Sequence, residues 1–151
     1  MAWHRFTPRD LALAWLVATV FSGVPSTLHA LLTGGDALEA TRAAGEMLLP
    51  VSAGTPALIA AAAVVHPLVS LFWTAVFALS LPRRHVLRWA VVGAAFVALL
   101  DLRVLAPLWF PSVAALPFWP QFADHLAWGA LLGATLQLRQ RAGQSGRVGA
   151  R

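Results

Sequence analysis

Six side chains place a titratable or hydroxyl group in otherwise apolar surroundings: His29, His66, Ser70, Asp101, Asp124 and His125. Histidine beside a carboxylate titrates near neutral pH and can relay a proton or hold a cation. Two histidines at matching depth can also ligate haem, and two histidines with an aspartate can hold a divalent metal. His29 and His125 are the candidates for that role, with Asp101 or Asp124 as a further ligand, although no haem-attachment motif accompanies them. The bland reading of each residue is structural: a lone intramembrane histidine is a hydrogen-bonded packing element, and an interhelical bond of Asp101 with His125, or of Asp124 with His29, contributes only about 1 kcal/mol. There is no nucleophile–base arrangement, phosphate-binding loop or dinucleotide fingerprint, so the expectation is a non-enzymatic protein. With no cysteine, disulfides and thiolate metal sites are excluded.

The elements that must position these residues follow from composition. The chain has 151 residues, 59% hydrophobic and 11% charged, with a mean hydropathy of +0.72. So small a soluble domain could not bury that much apolar surface. Four stretches reach the roughly 20 apolar residues that a bilayer-crossing helix needs. They run over about 11–32, 57–81, 86–105 and 118–138. Long Ala- and Leu-rich runs argue against membrane strands. The first stretch, preceded by Arg5 and Arg9, also has the outline of a signal peptide. Its length and the unsuitable Leu28-His29-Ala30 cleavage site favour a retained helix.

The predicted fold is therefore an all-α, four-helix integral membrane bundle over 1–139, with a disordered basic tail over 140–151. All eleven basic residues are arginine, and nine lie before the first span, at the connection of the second and third (Arg88 just inside the third), or after the fourth. The positive-inside rule then places both termini in the cytoplasm. These short basic clusters flank helices, so the expected partner is the lipid bilayer and not nucleic acid. A second copy or a membrane-complex partner stays open, and a structural accessory subunit is the alternative function.

Depth estimates use a rise of about 1.5 Å per residue, which puts His29, Asp101 and His125 roughly 6–9 Å from the outer helix ends and His66 roughly 15 Å in. The polar groups thus gather in the outer half of the membrane, and the inner half is apolar. Intramembrane ionisable residues are costly enough to be functional candidates. Ser22, Ser26 and His29 share one helical stripe, as do His66, Ser70 and Trp73. Pro67 removes a helical donor next to His66. Arg103 sits about 200° around the helix from Asp101 and is expected to snorkel outward or bond loop carbonyls. Gly129 and Gly133 form a small-residue face in register with His125.

The two outer connections have distinct characters. In the first, Asp36 stands as an N-cap with Glu39 at capping-box spacing. Glu39, Arg42 and Glu46 then form a charge ladder on a short amphipathic helix at the surface, where Leu38, Met47 and Leu48 can dip into the interface. The second holds Pro107, Pro111, Pro117 and Pro120 with Trp109 and Trp119, which reads as an ordered, partly embedded loop.

The segments His66-Pro-Leu-Val-Ser70-Leu-Phe-Trp73, Phe110-Pro and Ala123-Asp-His125-Leu-Ala-Trp128-Gly129 resemble the small four-helix bacterial inner-membrane proteins of the YagU type. The likeness covers roughly the last 90 residues. It implies a multi-pass inner-membrane protein with emphasis on His66 and His125. The acidic first-loop segment of that family is replaced here by Asp36–Pro50.

Overall fold

The computed structural model describes residues 6–82 and 84–148. Among the described residues the chain is all helical. The elements are α1 (Pro8–Phe21), α2 (Val24–Thr33), α3 (Glu39–Gly45), α4 (Thr55–Ser80), α5 (Val86–Leu100), a π-helical turn (Asp101–Leu105), α6 (Ala106–Trp109), α7 (Pro111–Ala114) and α8 (Phe118–Val148). Three helical stretches, Pro8–Thr33, Thr55–Ser80 and Val86–Trp109, are long and apolar enough to cross a membrane. Their outward faces carry large apolar side chains, among them Leu32, Leu79 and Phe96, each about 70% exposed (77%, 72% and 69%). Such faces fit a lipid environment.

The fourth expected span, within α8, is long but less apolar. The reason is its position: α8 packs against α5, α1 and α2, so protein rather than lipid meets much of its surface. Leu132 and Leu136 are fully buried there. The tail expected to be disordered from Gln140 continues α8 as helix through Val148, and 149–151 lie outside the described residues. Gln, Arg and Ala are good helix formers, and they extend the helix past its membrane-length portion. Arg5, Arg83 and Arg151 lie outside the described residues.

The first span is not one continuous helix. Pro25 has no N–H and its ring crowds the carbonyl four residues back, so the helix stops at Phe21 and restarts at Val24. It ends at Gly34, whose φ of 70° is left-handed, and Gly35 N–H caps the Ala30 carbonyl at 2.8 Å. The third span is likewise interrupted. Pro107 disfavours the α register at Arg103, and Ala106 N–H reaches back to the Asp101 carbonyl, five residues away.

The arginine-flanked segments meet at one end. Phe6, Leu81, Val86 and Leu136 belong to one buried cluster, bringing together the chain start, the α4–α5 link and the second half of α8. Thr7 caps α1 reciprocally with Asp10, and the Asp10 carboxylate accepts from Arg139 Nε at 2.6 Å. At the other end, α3 lies against α4 and α7.

Close approach of α5 and α8 depends on the small-residue face. A Cβ on Gly129 would stand 2.4 Å from the Ala94 Cβ, and one on Gly133 would stand 2.8 Å from the Leu87 Cα. Gly23 has open space instead. Gly133→Val should therefore destabilise the protein by about 1–3 kcal/mol through overpacking, with Gly23→Ala close to wild type. Reversible unfolding in mixed micelles measures both.

Candidate functional site

A cavity of about 420 Å³ lies among α2, α3, α4, α8 and the π-helical turn. His66, Ser70, Asp101, Asp124 and His125 all line it, and so does Trp73. His29 does not. It lines a neighbouring pocket of about 220 Å³ together with Asp36 and Glu39. Five of the six candidate side chains therefore share one cavity, and the sixth, on α2, lines the smaller pocket beside the α2–α3 connection.

Each polar group in the wall has a traceable partner. His125 Nδ1 lies 2.8 Å from the Gln121 carbonyl, and its Nε2 lies 3.3 Å from Asp101 Oδ2. A carbonyl can only accept, so Nδ1 carries a hydrogen. A bare Nε2 would then point its lone pair at a carboxylate. The Asp101–His125 contact consequently requires one shared proton, on the ring or on the carboxyl, and is neutral as a unit. This is the interhelical pairing that the sequence allowed.

The other allowed pairing, Asp124 with His29, is corrected. Asp124 Oδ1 accepts from the backbone N–H of Ser26 at 2.9 Å. In an unbroken helix that N–H would bond the Ser22 carbonyl, but the break at Ser22-Gly23 leaves it as an orphan at the start of α2. A carboxylate suits that position, because the helix start carries partial positive charge. Ser26 Oγ turns back to the Gly23 carbonyl at 3.3 Å.

Below these groups lies a buried polar floor. Trp128 Nε1 donates to Ser70 Oγ at 2.9 Å, Thr19 Oγ1 and Ser70 Oγ are 2.6 Å apart, and Thr74 Oγ1 donates to the Ser70 carbonyl at 2.8 Å. Across α1 and α4, His66 Nε2 donates to the Thr19 carbonyl at 3.0 Å and Trp15 Nε1 donates to the Pro67 carbonyl at 3.1 Å. The extra donor next to Pro67 thus reaches the proline's own carbonyl, not the Ala63 carbonyl that Pro67 cannot serve. Phe77 and Trp128 stack in tilted contact beneath, with centroids 5.2 Å apart. Past that floor the described core is apolar.

The connection between α2 and α4 departs from expectation in detail. Helix α3 begins at Glu39 after an N-cap at Leu38, not at Asp36. Asp36 instead accepts from the Leu38 N–H at 2.8 Å and pairs with Arg42 at 2.6 Å. Arg42 therefore hydrogen-bonds the carboxylate before the helix, and the expected partners Glu39 and Glu46 act on it only through space. Gly45 fits where a Cβ would collide with the Leu58 backbone, which presses the end of α3 onto α4. Ala40, Thr41 and Ala44 from α3 complete the cavity wall. The proline-rich connection is ordered as expected, but as the two short helices α6 and α7. Arg103 lies 4.0 Å over the Phe118 ring, a cation–π contact in place of loop carbonyls.

Among the described residues no three His, Asp or Glu side chains gather as a metal-holding group. The chain matches no protein-family model, no curated protein and no solved structure.

Residues that the sequence does not single out are Trp15, Thr19 and Gln121, and Trp128 stands only as part of the Ala123–Gly129 segment. Trp15, Thr19, Ser22 and Ser26 recur at helical spacing on one face of the first span, a periodic signal that would have found the first two.

Two measurements follow from this geometry. Ser70→Ala strands the Thr19 hydroxyl and the Trp128 indole N–H and should cost about 1–3 kcal/mol of stability, read by unfolding in mixed micelles. In the α2–α4 connection, the Arg42 guanidinium beside Asp36, with the Leu38 N–H, holds its carboxyl below the usual carboxylate range. The contact is thus fully formed above that range and is lost as pH falls through the depressed value. Arg42→Ala should raise the Asp36 titration toward the ordinary aspartate value of about 3.9, followed by its carboxyl carbon chemical shift.

Proposed function

We propose that this chain is a non-enzymatic, four-span inner-membrane protein whose outer-half cavity serves proton- or cation-linked transport or sensing. Helix α8 is the fourth span, and the arginine-flanked end with both termini faces the cytoplasm. This is the arrangement that the YagU-type resemblance implies.

The observation that carries the reading is the Asp101–His125 contact in the cavity wall, whose hydrogen-bond geometry requires one shared proton. A purely structural pair would serve equally well away from any void. Here both partners line a cavity of about 420 Å³ alongside His66 and Asp124. The apolar core beyond Ser70 and Trp128 argues against a permanently open pore. It suits a carrier that must rearrange to complete a crossing, or a sensor that responds to protonation from one side.

The test is proton movement by the full chain in liposomes under an imposed pH gradient, paired with infrared difference spectra of the carboxyl band after a pH jump. Asp101→Asn should remove the carboxyl signal, His125→Gln should shift it, and both should reduce flux to that of empty liposomes. Normally assembled variants that match wild type in both readouts would overturn the proposal.

A further inference from the structure

The cavity carries more chemical information than its proton. Its ionisable groups are His66 from α4, Asp101 from the π-helical turn, and Asp124 and His125 from α8; α2 and α3 contribute hydroxyl and small side chains. Asp101 and His125 neutralise one another around their shared proton. No arginine lines the cavity. Asp124 is therefore a carboxylate held at the start of α2 by Ser26 alone, through its backbone N–H and its hydroxyl, with no cationic side chain bonded to it.

The rest of the wall is apolar and aromatic, including Ile59, Val97, Trp73 and Trp128. The volume of about 420 Å³ falls within the range of pockets that take small organic ligands, about 300–1,000 Å³. An inorganic ion would find no converging ligand set among the described residues, and an organic anion would meet the Asp124 carboxylate and no arginine. An amphipathic cation satisfies both halves of the site: its charge meets Asp124, and its body replaces water against the indole and aliphatic walls.

We propose that the cavity binds an amphipathic organic monocation, with Asp124 as its counter-ion and Trp73 and Trp128 as its aromatic wall. The inference deepens the proton- or cation-linked reading above and rests on it for biological purpose, though not for its chemistry.

The test uses the full chain in nanodiscs at pH 8, above the ordinary range of histidine titration. Benzyltrimethylammonium is the cationic probe, neopentylbenzene is its uncharged isostere, and empty nanodiscs correct for partitioning. Calorimetric titration should show cation binding that weakens roughly tenfold or more in Asp124→Asn. Asparagine keeps an oxygen for the Ser26 N–H, so the start of α2 stays capped. Asp124→Glu, which keeps the charge, should retain binding, and the isostere should not distinguish the variants.

Equal cation affinity in wild type and Asp124→Asn, or no cation binding by wild type, would overturn the assignment. The two proposals fail separately. Lost cation binding alongside proton flux that still depends on Asp101 and His125 removes only the ligand. Cation binding that depends on Asp124, alongside flux indifferent to Asp101 and His125, removes only the proton-linked reading.

Discussion

Away from water, a backbone N–H or carbonyl has only protein to bond with, and leaving it bare costs several kcal/mol. Each of the three apolar stretches carries one internal proline that removes a helical donor: Pro25, Pro67 and Pro107. Pro25 accompanies the break at Ser22-Gly23, and the freed Ser26 N–H is taken by Asp124. At Pro67, the adjacent His66 ring and the Pro67 carbonyl reach across to Thr19 and Trp15 of α1. Pro107 follows the π-helical turn that begins at Asp101. All three irregularities border the same cavity, through Ser26, His66 and Asp101. The polar site is in this sense the place where the chain settles its backbone defects.

That constraint also explains the uneven character of the helices. Pro8–Thr33, Thr55–Ser80 and Val86–Trp109 keep apolar side chains on their outer faces. Helix α8 supplies the polar partners Gln121, Asp124 and His125 and has α1, α2 and α5 against it. Its glycines at 129 and 133 admit the α5 backbone closely, and that contact helps to set the height at which Asp101 meets His125. The small-residue face and the proton-sharing pair are thus one packing arrangement seen at two levels. The α4 helix joins more loosely, lying against α1 and α3 and touching the rest through side chains such as Phe77. The cavity occupies the gap this leaves.

Much of this was legible in the residues alone. Hydropathy marked the apolar helices, and counting residues from the outer prolines put Asp101 and His125 at similar depth, which is why their pairing was foreseeable. Helical spacing likewise put His66 and Ser70 on one face. The partner of Asp124 was not legible, because the donor is a backbone N–H, a group that every residue but proline owns and that no residue type advertises. His29 misled for a related reason. It shares a stripe with Ser22 and Ser26 in an ideal helix, and those two do line the main cavity, but His29 stands nearly a turn further along α2 and lines only the smaller pocket.

The sequence by itself determined that the chain is helical and apolar enough for membrane crossing, that its arginines flank the helices, and that its few ionisable groups crowd toward one end. These properties follow from composition and from a fixed rise per residue, which need no knowledge of neighbours. Only the tertiary structure decided which carboxylate caps a broken helix and which shares a proton. It also decided that Arg42 turns to Asp36 and that α8 is sheltered by protein. Those outcomes depend on which backbone groups are left unsatisfied once the helices pack, a quantity set jointly by segments far apart in the chain, as in the 98-residue separation of Ser26 and Asp124.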